Sequence, residues 1–145
     1  MSETKTVLER LEALVGGWNI ELRLPTEPPM MVQARASFEW LPGNFFLVYR
    51  SEADNPDFPR GESIIGCDNS LGTYSMLYSD SRGVTRLYAM SLSDGEWKLW
   101  RDDPSFPQRF TGTFSADGRT IAGRWEKSSD GTSWELDFDG TYTRV

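Results

Sequence analysis

The sequence predicts an all-β protein: a single up-and-down antiparallel β-barrel of about ten strands, with one short N-terminal helix that caps one end. From Trp18 onwards, apolar and polar residues alternate with a period of two, which is typical of strands that bury one face. Turn residues recur at intervals of roughly 10 to 15 positions. One helix cannot cover so many one-sided strands, so the sheet must close on itself or pack on a second sheet. The short connections favour closure.

The helix, expected over about 6–15, is based on apolar residues at helical spacing: Val7, Leu8, Leu11, Leu14 and Val15. Thr6 and Glu9 have the spacing of a capping box, and Gly16-Gly17 supplies the left-handed stop that helix ends favour. The barrel then occupies about 17–144 of a single domain that covers residues 1–145.

Turn signals delimit the strands. Three Asp-Gly pairs, at 94–95, 117–118 and 130–131, have the chemistry of tight hairpins, because glycine adopts positive φ without strain and aspartate tolerates it. We expect strands near 17–25, 31–41, 44–53, 61–68, 72–80, 84–92, 95–102, 107–115, 119–128 and 132–144.

Two of the last strands show clear alternation. Trp134, Leu136, Phe138 and Tyr142 share one face of the final strand, and Glu135, Asp137 and Asp139 share the other, which we expect to point outward. On the strand before it, Arg124 should form an external ion pair with a carboxylate such as Glu135 or Asp137.

Charge and composition exclude several functions. Fifteen Lys and Arg against 22 Asp and Glu give a net charge of −7, so neither nucleic acid nor a membrane surface is an expected partner. The N-terminal residues lack a secretory pattern and the apolar runs are too short to cross a bilayer, so we expect a cytoplasmic protein. The single cysteine, Cys67, fits a reducing compartment.

The chain has no histidine. Catalytic triads, imidazole zinc sites and proximal ligation of haem are therefore excluded. The sequence predicts no metal site and no cofactor, assigns no catalytic residue, and does not favour an enzyme.

The candidate ligand-binding residues are side chains that would line the lumen or fill it. Arg50 and Arg86 interrupt apolar strands, and a buried guanidinium needs an acidic partner or an anionic ligand. The phase of strands 44–53 and 84–92 is left open by their mixed faces, so the direction of both arginines stays open as well. The other candidates are Tyr49, Tyr78, Tyr88, Met76, Cys67, Phe38, Trp97, Trp125 and Trp134.

Two predicted loops carry an aromatic residue beside prolines. Phe58 lies in the loop 53–61 and Phe106 in the loop 103–107. Either residue would suit a gate at the barrel mouth, a lid on an apolar rim or a dimer contact.

Five short motifs follow one another along the chain: Gly16-Gly17-Trp18, Leu41-Pro42-Gly43-Asn44-Phe45-Phe46, Ile65-Gly66-Cys67-Asp68, Gly123-Arg124-Trp125-Glu126 and Trp134-Glu135-Leu136-Asp137-Phe138. Together with the short helix and the meander, they make the chain resemble the calycin group, and more closely bacterial lipocalin-like proteins related to the nitrobindin-like and fatty-acid-binding barrels. The resemblance implies that Trp18 packs at the closed end of the barrel. It does not extend to haem, because nitrobindin-like barrels bind haem through a C-terminal histidine that this chain lacks.

Three functions remain open at this stage. The first is reversible binding of a small hydrophobic or amphipathic molecule in the lumen. The second is a filled barrel that acts through its surface as an interaction or structural module, for example as a homodimer. The third is a barrel enzyme of the lyase, isomerase or cyclase kind, with a Tyr or Glu as general acid or base.

Overall fold

A computed structural model describes residues 6–68 and 70–145 and confirms the predicted fold class. Each strand pairs antiparallel with the next along the chain, and β1 pairs with β10 to close the barrel. The strands are Gly16–Leu24 (β1), Met30–Trp40 (β2), Leu47–Ala53 (β3), Gly61–Asp68 (β4), Thr73–Asp80 (β5), Thr85–Ser93 (β6), Glu96–Arg101 (β7), Gln108–Phe114 (β8), Thr120–Ser128 (β9) and Trp134–Arg144 (β10).

The N-terminal helix is shorter than the sequence predicts. It is a 3-10 helix over Glu9–Ala13, not a helix over 6–15. The Thr6 hydroxyl accepts a hydrogen bond from the Glu9 backbone N–H at 3.1 Å, but the N-cap position of the helix is Leu8, whose side chain makes no capping hydrogen bond. The backbone N–H groups of Leu11, Leu14 and Val15 donate to carbonyls three residues earlier, which is the tighter hydrogen-bond pattern of a 3-10 helix.

The third strand also starts later than predicted, at Leu47 in place of residue 44. Asn44 adopts φ 60°, which breaks the extended backbone, and Phe45 and Phe46 are 63% and 50% exposed in the turn. By contrast, Asp94 and Gly95 form the expected two-residue hairpin, with φ of 53° and 74°, because a type I′ turn needs positive φ at both positions.

The 3-10 helix and the chain terminus close one end of the barrel. The indole of Trp18 is fully buried and donates a hydrogen bond to the Leu14 carbonyl at 2.9 Å. The Arg144 guanidinium lies 4.2 Å from the Trp18 ring centre and donates to the carbonyls of Ala13 and Val15. These contacts hold the 3-10 helix across this end of the barrel. Trp18 therefore packs at the closed end.

Candidate ligand-binding site

The barrel contains a cavity of about 410 Å³ between its tightly packed closed end and the opposite, open end. Its wall combines aromatic and aliphatic side chains with a small number of polar ones, the usual composition of a small-molecule site. The residues on which the site's chemistry depends are Tyr49, Ser63, Met76, Tyr78, Arg86, Tyr88, Trp97, Gln108, Trp125, Asp137 and Tyr142.

Packed aromatic rings form the floor of the cavity. Trp97 lies at the centre, with its ring 4.9 Å from that of Phe110 and 6.1 Å from those of Tyr49 and Tyr142. Phe38 stacks on the closed-end side of this layer, 4.2 Å from the Tyr49 ring. The floor is therefore rigid, because each ring is held by several others.

Two glycines make room for the Phe110 ring. Gly112 and Gly123 face each other across β8 and β9. A Cβ atom on Gly123 would lie 2.6 Å from one carbon of the Phe110 ring, and a Cβ atom on Gly112 would lie 3.0 Å from another carbon of the same ring. The absence of side chains at these positions therefore sets where Phe110 lies in the cavity wall.

A polar cluster occupies the wall near the open end. Arg86 donates a hydrogen bond to Oε1 of Gln108 at 3.2 Å, and the Tyr88 hydroxyl donates to the same oxygen at 2.9 Å. Because a guanidinium can only donate, its contact defines which end of the Gln108 amide is the oxygen. The Gln108 amide N–H groups then make no hydrogen bond within the described residues. Burial raises the pKa of the Tyr88 hydroxyl, so it remains a donor at neutral pH.

Arg86 has no carboxylate within ion-pairing distance in the parts of the chain that the structure describes. It is half-buried in the cavity wall, with its guanidinium 5.5 Å from the Phe106 ring centre. The neighbouring Arg82 differs, because it pairs with Asp80 at 2.7 Å. The positive charge of Arg86 is therefore available to a ligand.

Asp80 organises the turn beside the mouth. Its side chain is inaccessible to solvent and accepts hydrogen bonds from Arg82 and from the Tyr78 hydroxyl, the latter at 2.6 Å. The Arg82 hydrogen bond is the main reason that the pKa of Asp80 lies well below its usual range. Burial, reinforced by the Asp80 carboxylate, raises the pKa of Tyr78.

The two aromatic loop residues both lie at the cavity. Phe58 and Phe106 contribute to its lining, which places the loops 54–60 and 102–107 at the mouth. Arg101 donates to the Phe106 carbonyl at 3.3 Å and to Asp103 at 2.8 Å, and so fixes the second loop to the end of β7.

The prediction that Asp137 points outward is wrong. The alternation placed it on the outer face with Glu135 and Asp139, but it lines the cavity. The pairing of β10 with β9 shifts by one residue between Leu136 and Phe138, so Asp137 is the extra residue of a β-bulge, which re-aims its side chain. Lys127 lies 3.7 Å from its carboxylate.

The bulge also changes the partner of Arg124. Its ion pair is external, as expected, but it is formed with Asp139 at 2.9 Å, not with Glu135 or Asp137. Asp139 lies directly opposite Arg124 in the register that follows the bulge.

Most of the predicted site residues come together in the cavity wall: Tyr49, Met76, Tyr78, Arg86, Tyr88, Trp97 and Trp125. Phe38 lies behind Tyr49, and Cys67 packs half-buried against the core near the closed end. Arg50 points outward, with its side chain 49% exposed and 3.1 Å from Glu62. Trp134 packs under the outward-facing Arg109, whose guanidinium lies 4.1 Å from its ring centre. The structure thus decides the phase that the sequence left open: Arg86 faces the lumen and Arg50 does not.

Several cavity residues were missed, among them Tyr142 and the polar residues Gln108 and Ser63. Gln108 is 7% exposed and Ser63 is 2% exposed, and both line the cavity. Both could have been found from the sequence, because alternate residues of a strand share a face. Gln108 is two residues from the inward-facing Phe110, and Ser63 is two residues from Ile65. An inward polar residue among apolar ones is more informative about a site than another core aromatic.

Within residues 6–68 and 70–145 no group of three or more acidic or thiol side chains has the arrangement of a metal site. In the same segments no helix has the length and hydropathy required to cross a membrane.

The closed meander, the plugged end and the cavity together define an up-and-down β-barrel of ten strands with an internal site. Among solved structures, the chain is similar to Rv2717c from M. tuberculosis, with a TM-score of 0.66, 13% identity and 99% of each chain covered. It is also similar to the S-type phycobiliprotein lyase CPES from Guillardia theta, with a TM-score of 0.61 and 12% identity over 97% of this chain and 93% of that one. No family model matches the chain, and a search of curated proteins found no match. At these identities the two structures support the fold.

Proposed function

We propose that this protein binds a small amphipathic molecule that carries an acidic group, with the apolar part in the lumen and the acid on Arg86. The observation that carries the proposal is the half-buried Arg86 without an acidic partner in the described residues, in the wall of an aromatic cavity. Burying a cation in this way is unfavourable unless an anion compensates for it.

The neighbours of Arg86 support an anionic ligand. Gln108 presents amide N–H groups beside the Arg86 guanidinium, so an oxygen anion there would meet donors from both side chains. The carboxylates of Asp137 and Glu52, which also line the cavity, would oppose it, and Lys127 partly offsets the charge of Asp137. A cavity of about 410 Å³ falls within the usual size of small-molecule sites and favours ligand binding over a filled barrel.

The test compares two arginines that the sequence alone could not distinguish. Affinity for dodecanoate is measured by displacement of 1-anilinonaphthalene-8-sulfonate, in the wild type and in the Arg86→Gln and Arg50→Gln variants. Loss of a charge-assisted hydrogen bond predicts an affinity about 10- to 100-fold lower for Arg86→Gln. Arg50→Gln, which removes an outward-facing charge of the same sign, should stay within about twofold of the wild type.

The outcomes separate cleanly. An equal loss in both variants would show that the anion responds only to net charge, and no loss in Arg86→Gln would remove Arg86 as the anchor. If neither dodecanoate nor any homologous acid from eight to fourteen carbons displaces the dye, the proposal of an acidic amphiphile fails.

The same cavity suits a second candidate, an enzyme of the lyase kind, and two observations favour it. A lyase is among the solved structures with this fold, and the bulge brings the Asp137 carboxylate into the cavity, where it can transfer a proton. Native mass spectrometry of the purified protein would identify a retained compound, which is then incubated with excess protein. Recovery of the unchanged compound supports a carrier. Conversion that Asp137→Asn abolishes, with binding retained, supports the enzyme.

A further inference from the structure

The floor of the cavity contains a buried hydrogen-bond donor without a partner. Trp97 is 1% exposed, and its indole nitrogen is the one buried side-chain polar atom in the described residues that makes no hydrogen bond. The indoles of Trp18 and Trp40 instead donate to the Leu14 carbonyl and to the Glu12 carboxylate. Leaving such a donor unsatisfied is unfavourable, so its position at a cavity requires an explanation.

A second donor lies in the same layer. The hydroxyls of Tyr49 and Tyr142 are 3.0 Å apart, and both residues line the cavity. Each hydroxyl has one proton, and the bond between them uses one of the two. The remaining proton has no acceptor within the described residues. Burial raises the pKa of both tyrosines, so both protons are retained at neutral pH.

These donors surround one region of the floor, because the Trp97 ring lies 6.1 Å from each of the two tyrosine rings. The charged residues of the lining, Glu52, Arg82, Arg86 and Asp137, all belong to strand segments or turns at the open end. A surplus of neutral donors without a cation selects a neutral acceptor over a carboxylate, whose burial there would be uncompensated.

We propose that Trp97 and the Tyr49–Tyr142 hydroxyl pair form an acceptor subsite that binds a neutral oxygen of the ligand, such as a ketone, ether or hydroxyl oxygen. This inference rests on the proposed function, because it places the acidic end of the same ligand on Arg86. Arg86 and Leu92, the strand partner of Trp97, are six residues apart on β6, or about 20 Å of strand. The ligand class is therefore an elongated oxo or hydroxy acid with its oxygen function remote from the carboxylate.

The test uses matched pairs of straight-chain acids from eight to fourteen carbons. Each parent acid is compared with the derivative that carries a methyl ketone at the far end, since a ketone accepts hydrogen bonds but cannot donate them. At the chain length that spans the cavity, we expect the oxo acid to bind about tenfold tighter than its parent. In Trp97→Phe and in Tyr142→Phe this preference should fall below about twofold. Trp40→Phe, which removes an indole outside the cavity, should keep it.

A spectroscopic readout covers the case in which Trp97→Phe does not fold. In the wild-type protein, the indole N–H resonance of Trp97 should move downfield when the oxo acid binds and stay in place when the parent acid binds. Equal affinities for oxo and parent acids at every chain length, or an unmoved Trp97 resonance, would overturn the acceptor subsite while leaving Arg86-dependent binding intact. Absence of binding by all of the acids would instead overturn the proposed function, and this inference with it.

Discussion

Replacing Gly123 with alanine tests how tightly the cavity wall is packed. The new Cβ would lie 2.6 Å and 2.9 Å from two carbons of the Phe110 ring and 3.0 Å from the Gly140 carbonyl oxygen. The carbonyl belongs to the adjacent strand and cannot move without breaking the β9–β10 pairing. Relief must therefore come from Phe110, which is itself held by Trp97 at 4.9 Å and Trp125 at 5.2 Å.

The size of the effect follows from this confinement. Adding a methyl group to a well-packed interior destabilises proteins by about 1–3 kcal/mol. Phe110 borders the cavity, so its ring can yield only by moving into space that a ligand would use. We expect Gly123→Ala to lower the free energy of unfolding by about 2 kcal/mol, to lower Tm by about 2–10 °C, and to weaken binding of dodecanoate.

Urea denaturation followed by tryptophan fluorescence measures the loss. Gly17→Ala is the matched control, because a Cβ there would meet only Val145 at an ordinary 3.6 Å. Its unfolding free energy should stay the same or rise slightly, since alanine restricts the unfolded chain. Adding Phe110→Leu to Gly123→Ala should recover part of the loss, which a double-mutant cycle detects as coupling. A Gly123→Ala protein as stable as the control would refute this account of the wall.

Two further predictions concern the closed end and the tyrosines. Arg144→Met keeps an unbranched side chain but removes the guanidinium, which lies 4.2 Å from the Trp18 ring centre and donates to the Ala13, Val15 and Gly118 carbonyls at 2.5, 2.7 and 3.1 Å. Urea denaturation should therefore show a loss of about 2–3 kcal/mol in the free energy of unfolding, and a loss below about 0.5 kcal/mol would contradict the assigned role. All five tyrosines have a raised pKa, with burial as the largest cause, so at a pH of about 10.5 the folded protein should show less tyrosinate absorbance than the unfolded chain does. Since the unfolded chain releases these protons near pH 10 and the folded chain retains them, stability should fall as pH rises above about 10, and a native tyrosinate titration centred there would contradict this.

Much of the fold was predictable because its signals are local. The period of two and the recurring turn residues predicted the ten-strand meander, and the Asp94-Gly95 hairpin formed as its positive φ angles require. The helix over 6–15 was overestimated, because apolar residues three and four positions apart do not distinguish an α-helix from a shorter 3-10 helix. Asn44 similarly delayed β3, through a backbone conformation that alternation does not encode.

The candidate site was predictable in composition and less so in geometry. Aromatic residues and Arg86 were named from the sequence, and most of them line the cavity. Arg50 and Trp134 were named from the same kind of pattern as Arg86 and the lining aromatic residues, but they face outward. A strand with two mixed faces has nearly equal patterns in both phases, and only closure of the barrel decides which face is buried.

By itself, the sequence determined the all-β class, the strand order and the absence of imidazole chemistry, because these follow from local periodicity, turn residues and composition. Only the tertiary structure decided that Arg86 meets Gln108 and Tyr88, that a bulge brings Asp137 inside, and that Trp97 keeps a donor without a partner in the described chain. The physical reason is that these features depend on pairing between strands far apart in sequence. A one-residue shift in register exchanges the inner and outer faces while leaving the local pattern unchanged.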